Sequence, residues 1–372
     1  MTTKKPTLIE HFSTIQDPRL NRKQCHSLEN IFFIALCAVI CGCDSWVAVE
    51  KFGKMKQSWF EKYLHLEHGI PSHDTFGRVF SLICPEQFQA CFSSWIQSIV
   101  KEVAGDVIAV DGKCLRRSYD KESNKAAIHM VSAWSSANQL VLGQVKVAEK
   151  SNEITALPIL LDALDIAGAV ITTDAMHTQT KSAQQIVAKG ADYVMALKGN
   201  RSSLHEDVTV FFEQTPDAYR LDHHQTIDSE HGRIEEREVW VCNDVDWLLK
   251  EHDFPHLGSI IKVKSRRTER EDISEDVRYF ISSITDQSAE KLGSYVRAHW
   301  SVETSLHWCL DMAFDEDRCR IRVGHADENM AMLRHLSLNL LKQEKTAKVG
   351  IKIKRQMAGW DEQYLLKLLG LF

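Results

Sequence analysis

The segment Val107–Ser118, VIAVDGKCLRRS, runs four apolar residues into an aspartate, then a glycine, then a cluster of cations. The segment Val170–Gln179, VITTDAMHTQ, again carries short apolar text into an aspartate. Short apolar runs bounded by turn-forming residues read as buried strands. Both therefore predict strands that end in a carboxylate, at Asp111 and Asp174. Groups at the carboxyl ends of strands in open α/β sheets are held rigidly and face a cleft, which is where such folds bind ligands. The plainer reading is a turn or cap aspartate, common just after a strand.

The text around these two strands predicts a mixed α/β sheet with flanking helices. Segments 129–136 (HMVSAWSS) and 140–148 (LVLGQVKVA) form a hairpin across Ala137-Asn138-Gln139. A helix capped by Ser151 or Asn152 follows over 151–166, and another over 180–191. The strand DYVMALKGN, 192–200, closes the section. After a short helix near 203–213, polar strand-like text to about residue 290 predicts an antiparallel β insertion. Residues 294–341 read as helical. No internal repeat or low-complexity tract is visible.

Residues 1–100 read as a small helical domain. Its run Ile31–Cys43 is apolar on most faces but spans only 13 residues, which suits a buried helix and not a membrane span. After the turn His68-Gly69-Ile70-Pro71, Ser72 is placed to cap a helix over HDTFGRVFSLI. That pair reads either as a DNA-reading helix-turn-helix or as a plain bundle. The chain ends in a basic stretch and an amphipathic helix over 346–372.

At 372 residues, 44% hydrophobic and 26% charged, the chain reads as a soluble globular protein of two or three domains, or of one large domain with an appendage. The net charge of −6 argues mildly against a nucleic-acid partner, though local clusters can overrule the sum. Ten cysteines include no CxxC pair, and no secretion signal is evident, so they read as reduced cytoplasmic thiols. A zinc site from Cys37, Cys41 and Cys43 is the less favoured alternative to core cysteines.

A third acid lies in the stretch 294–322, SYVRAHWSVETSLHWCLDMAFDEDRCRIR, where Glu303 sits between Trp300 and Trp308. A glutamate in aromatic company is costly unless paired or metal-bound. His299, Glu303, His307 and Asp311 also recur every four residues, so this row reads either as a solvated helix face or as a His/Glu metal face.

Taken together, these motifs resemble the H-repeat-associated, Rhs-element-linked family of bacterial insertion-sequence DDE transposases. The matching text is AVDGKCLRRS around Asp111, KSNEITALPILL at 150–161, TTDAMHTQ around Asp174, ALKGN at 196–200, RAHWSVETSLHWCLDMAFDEDRCRIR around Glu303 and the ending AGWDEQYLLKLL. The N-terminal LIEHFSTIQDPR and SHDTFGRVF resemble the helical domain associated with this family. The resemblance implies a ribonuclease H-like catalytic domain over 101–345, interrupted by the β insertion at about 201–290. It implies that Asp111, Asp174 and Glu303 are the catalytic and metal-binding triad. They would hold two Mg²⁺ ions, with Mn²⁺ able to substitute, for two-metal phosphoryl transfer. Related enzymes carry a tyrosine and an arginine before the glutamate and a lysine seven positions after it. Here His299 stands four before Glu303 and Leu310 seven after, with Arg297 or His299 as substitutes.

The implied partners are double-stranded DNA, as element terminal repeats and target, and a second copy of the chain in a homodimer on DNA. No membrane is involved, and the implied location is the bacterial cytoplasm at the nucleoid. Cations near the carboxylates are the candidate backbone contacts: Lys113, Arg116, Arg117, Lys198, Arg201, Arg297, Arg318, Arg320 and Arg322. Arg266, Arg267 and Arg270 in the insertion and the six cations from Lys342 to Arg355 extend this set. His177, His299 and Trp300 are candidates for contact with DNA, His177 and Trp300 with a frayed base. A catalytically silent DNA-binding relic and a metal-dependent nuclease without strand transfer are the competing readings.

Overall fold

The apolar run Val107–Val110 forms the first half of the central strand in a computed structural model. The structure describes residues 7–20, 24–100, 102–119, 126–147, 153–214, 221–230, 233–270 and 272–371. The strands are β1 (Val107–Cys114), β2 (His129–Ser135), β3 (Leu140–Lys146), β4 (Val170–Thr173), β5 (Asp192–Leu197), β6 (Asp222–Glu230), β7 (Arg233–Cys242), β8 (Ser259–Glu269) and β9 (Asp272–Ser282). They make one sheet of nine strands in the order β3-β2-β1-β4-β5-β9-β8-β7-β6. Strands β1, β4 and β5 run parallel, and the remaining neighbours are antiparallel.

One expectation changes here. Strand β1 does not end at Asp111 but continues to Cys114 along β2, with Asp111 opposite Ser132. Its parallel pairing to β4 stops at Val110 and Thr173. Asp111 and Asp174 therefore both follow the last rung of that parallel ladder, where the two strands part. The insertion is antiparallel, as expected, and is continuous with the core sheet. Residues Tyr279–Ser282 of β9 pair with Val194–Leu197, so the antiparallel meander β6–β9 extends the same sheet. The short helix Asp246–Glu251, inside the insertion, has no counterpart in the sequence expectation.

Helices precede the sheet as α1 (Leu8–Phe12), α2 (Leu28–Ile40), α3 (Trp46–Met55), α4 (Gln57–Phe60), α5 (His73–Leu82) and α6 (Pro85–Ile99). Helix α2 is buried at every position from Ile31 to Ile40, as an all-round apolar helix requires. Ser72 caps α5 through Thr75 N–H, as expected. Later come α7 (Glu153–Asp162), α8 (Thr180–Ala188), α9 (Ser202–Gln214), α10 (Asp246–Glu251), α11 (Ala289–His299), α12 (Trp308–Phe314), α13 (Ala326–Gln343), α14 (Ile351–Trp360) and α15 (Glu362–Leu368). The caps expected at Ser151 or Asn152 lie outside the described residues.

One face of the sheet and the N-terminal helices share a continuous core. Helix α13, buried over most of its length, joins α2, α5 and α6 to β3. The helical section is thus anchored to the sheet and not hung from it. Helix α11 covers the other face through Leu292 and Val296, against Val194, Val239, Val263 and Phe280. Gly293 permits this close approach, since a Cβ there would meet Val239 Cγ2 at 2.9 Å. Among the described residues no helix is long and apolar enough to cross a membrane.

The basic C-terminal stretch is partly interior. Arg355 donates to Val39 O, to Ala313 O and to Asp44 Oδ1 at 3.0 Å, and lies over the Phe314 ring at 4.0 Å. Lys354 donates to Leu341 O at 3.0 Å and to Glu344 O. Both are buried. They fasten α14 to the core and are not free to grip DNA, contrary to the sequence expectation.

Candidate active site

Three chain segments far apart in sequence bring Asp111, Asp174 and Glu303 to one cleft of about 410 Å³. Asp111 comes from β1 where it outruns β4. Asp174 follows β4 and accepts from His177 N–H at 3.3 Å, capping a 3-10 turn over Ala175–His177. The cap reading of Asp174 and its place in the cleft are therefore both correct. Glu303 sits exposed in a π-helical turn, Val302–His307, between α11 and α12. Such turns insert a residue into a helix and re-aim its side chains.

The π turn also dissolves the four-residue row. His299 Nδ1 lies 3.0 Å from Thr172 Oγ1, His307 Nδ1 lies 3.6 Å from Asp111 Oδ2, and Asp311 pairs with Lys113. Burial pushes the pKa of both histidines down to about 4 and keeps them neutral. Because His299, His307 and Asp311 turn to three different partners, the row does not converge as a His/Glu metal face. Burial pushes the Cys41 thiol up to about 12 and Cys43 up to about 11, and among the described residues Cys37, Cys41 and Cys43 do not come together as a metal-holding group.

Burial pushes the Asp111 carboxyl up to about 7; a hydrogen bond from Gly112 N–H opposes the rise, and Asp174, Glu303 and Glu153 reinforce it. Like charges crowded in a half-buried site need a compensating cation. The donor set is carboxylate oxygen, which suits hard Mg²⁺ or Mn²⁺. The three acids border the cleft as an open set. Among the described residues no three His, Cys, Asp or Glu side chains stand close enough to enclose an ion by themselves.

Glu153, at the start of α7, is the acid that the sequence reading missed. It lies 3.4 Å from His129 Nδ1 and 3.7 Å from His177 Nε2. His177 and His129, standing beside it, hold its carboxyl below the usual range against burial. Gly112 is needed at this point, because a Cβ there would overlap the Glu153 carboxylate. A glycine directly after Asp111 was the one local signal of a close neighbour.

The candidate DNA contacts divide by exposure. Arg116, Arg117, Lys198, Arg318 and Arg320 are exposed. Lys198, His299 and Trp300 line the cleft with Arg278, whose guanidinium lies 4.8 Å over the Trp300 ring. Arg297 is half exposed and pairs with Asp228 at 2.6 Å. Arg322 lies over the Tyr119 ring at 5.5 Å. Three candidates are elsewhere than expected. Lys113, 11% exposed, is held by Asp311 at 2.5 Å and Glu316 at 2.9 Å. His177 is fully buried beside Glu153. Arg201 donates to Thr178 O, Gln179 Oε1 and Thr180 Oγ1, tying the start of α8 to the loop after β5. Each is occupied by the fold and does not face the cleft.

Comparison with known proteins decides the family. Residues 104–340 match the family described as "Transposase DDE domain", and residues 9–96 match "DDE_Tnp_1-associated". The chain belongs to the DDE transposase family. It is 40% identical over 376 residues to "H repeat-associated putative transposase YhhI" of Escherichia coli (strain K12), covering 97% of each chain. It is 40% identical over 371 residues to "Putative transposase YncI" of Escherichia coli O157:H7, covering 98% of this chain and 94% of that one. It is also 45% identical over 278 residues to "Uncharacterized protein in dhlA 3'region" of Xanthobacter autotrophicus, covering 74% and 93%. In this member of the family Asp111, Asp174 and Glu303 line one cleft.

Proposed function

We propose that this transposase cuts and joins DNA phosphodiesters at the ends of an insertion sequence, with Asp111, Asp174 and Glu303 as its catalytic, metal-holding triad. The observation that carries the proposal is the meeting of these acids, from three separate segments, in one cleft. The order β3-β2-β1-β4-β5, with β1, β4 and β5 parallel, supports a ribonuclease H-like core. The names of the relatives support DNA as the partner. We read 1–100 as the associated helical domain, 101–345 as the catalytic domain with the insertion at about 201–290, and 346–372 as the C-terminal segment.

Bound Mg²⁺, or Mn²⁺ in its place, supplies Lewis-acid polarisation of the phosphoryl oxygens and a nucleophile at neutral pH. The chain's own residues do the positioning. The three carboxylates present oxygens at the cleft. Lys198 and Arg278, in the same cleft, offset phosphate charge. Neutral His299 and His307 brace the walls by facing Thr172 and Asp111. The exposed Arg116, Arg117, Arg318 and Arg320 offer sequence-tolerant backbone contacts. Two copies acting on paired element ends are the arrangement that the family resemblance implies.

The test is cleavage of a labelled duplex carrying the element's terminal repeat, with Mg²⁺ or Mn²⁺. Cutting that needs metal and disappears in both Asp111→Asn and Glu303→Gln supports the proposal. Specific binding by the natural chain without cutting in either metal points to a silent relic. Cutting that survives both substitutions overturns the triad.

A further inference from the structure

Beyond Trp300 the cleft continues into a groove of about 600 Å³ along β7, β8 and β9. The two cavities share Asp276, Arg278, Phe280, Val296 and Trp300. Alternate residues of a strand share a face. Strand β7 presents Arg233, Glu235, Arg237 and Val239 to one face, and β9 presents Asp276, Arg278 and Phe280 to the same one. Register confirms this, since Arg237 pairs with Ser265 and Ser265 with Asp276. Helix α11 covers the apolar part of this face at Val239 and Phe280. Past the end of α11 the same face turns cationic.

The groove is lined by five arginines, at 233, 237, 267, 278 and 297, against two acids, Glu235 and Asp276. Three of the arginines crowd one another. Burial lowers the Arg237 pKa from its usual value, Glu235 opposes that, and the like charges of Arg297 and Arg278 add to the lowering. Arg237 Nη1 is buried without a hydrogen-bond partner among the described residues. Arg237 pairs with Glu235, Arg278 with Asp276 at 2.5 Å and Arg297 with Asp228 at 2.6 Å, so what the groove leaves unmatched is the buried Arg237 Nη1 and the excess of five lining arginines over two lining acids. Guanidinium forks match phosphate oxygens in geometry. The exposed Thr304 also borders the groove.

We infer that this face of the insertion is a second DNA site, in which Arg237, Arg278 and Arg297 grip a backbone phosphate of the duplex that continues out of the catalytic cleft. The inference rests on the DNA reading above and adds where the flanking duplex lies. On this reading the insertion prolongs the catalytic sheet into a cradle for DNA, and α11 sets the boundary between its packed and its DNA-facing halves.

The test is equilibrium binding of a terminal-repeat duplex in EDTA, across a series of salt concentrations. Each lost phosphate contact lowers the slope of log affinity against log salt by about 0.9. Arg278→Gln and Arg297→Gln should each lower it by about that amount and weaken binding roughly tenfold. Both side chains are about half exposed, so folding is retained even where Arg237→Gln fails to fold. Lys264→Gln, on the opposite face of β8, should leave the slope unchanged. Unaltered slopes in both arginine variants, with the natural chain still binding, overturn the groove and leave the DNA reading standing. An equal drop in Lys264→Gln overturns it too, as a general charge effect. A natural chain that binds no duplex removes the DNA reading and the groove together.

Discussion

Lys113 is where sequence and structure give opposite accounts, and one substitution separates them. Its ammonium lies 2.5 Å from Asp311 Oδ1 and 2.9 Å from Glu316 Oε2. The Glu316 side chain is 2% exposed, and its other oxygen stands 3.8 Å from Arg334 Nη1, too far for a hydrogen bond. Lys113→Met removes the close cation and leaves a buried carboxylate. Removing one partner of a buried pair costs about 3–5 kcal/mol. Arg334 keeps some compensation, which places the cost at about 3 kcal/mol. At about 2 °C per kcal/mol for a large chain, Tm should fall by about 6 °C. Urea unfolding gives the free energy directly. A double-mutant cycle with Glu316→Gln should return a coupling of about 2 kcal/mol. A variant within about 0.5 kcal/mol of the natural chain, with a salt slope for DNA lowered by about one, would make Lys113 a DNA contact and refute the burial argument.

Other consequences can be checked the same way. Gly112→Ala should displace the Glu153 carboxylate and cost about 1–3 kcal/mol by urea unfolding, and most of that cost should vanish in a Glu153→Ala background. Burial holds the His335 pKa at about 4 against its usual 6.5, so the unfolded chain takes up that proton first as pH falls. Its contribution is complete above about 6.5 and is lost between there and 4, amounting to about 2 kcal/mol by pH 5. The loss of stability from about pH 8 to about pH 5 should accordingly be smaller in His335→Gln. Arg355→Ala should cost about 3 kcal/mol, read as a lowered urea midpoint, because Asp44 and the Val39 carbonyl lose their buried donor.

The sheet was legible because its strands carry local signals. Val107–Val110 and Val170–Thr173 are apolar and short, and the Asn138-Gln139 turn, with Gln139 at φ 56°, marks the hairpin. The acids were legible because each breaks an apolar context. What escaped the sequence depends on contacts distant in the chain. Strand β1 passes Asp111 only because β2 continues to pair there, and no local pattern encodes where β4 stops. The π turn at 302–307 breaks a four-residue period that the letters alone display intact. Lys113, His177, Arg201, Lys354 and Arg355 are candidate DNA contacts in the sequence because charge and polarity are visible there and burial is not. Each is buried or half-buried against a partner that the fold supplies: Glu316, Glu153, the Thr178 carbonyl, the Leu341 carbonyl and Asp44.

Anomalous scattering from a crystal grown with Mn²⁺ would test the central claim most directly. The account predicts metal density bounded by the Asp111, Asp174 and Glu303 carboxylates, and its loss in Asp174→Asn crystals of the folded protein. Mn²⁺ bound instead at Glu153 and His177, or a cleft left empty under conditions where the chain cuts DNA, would contradict it.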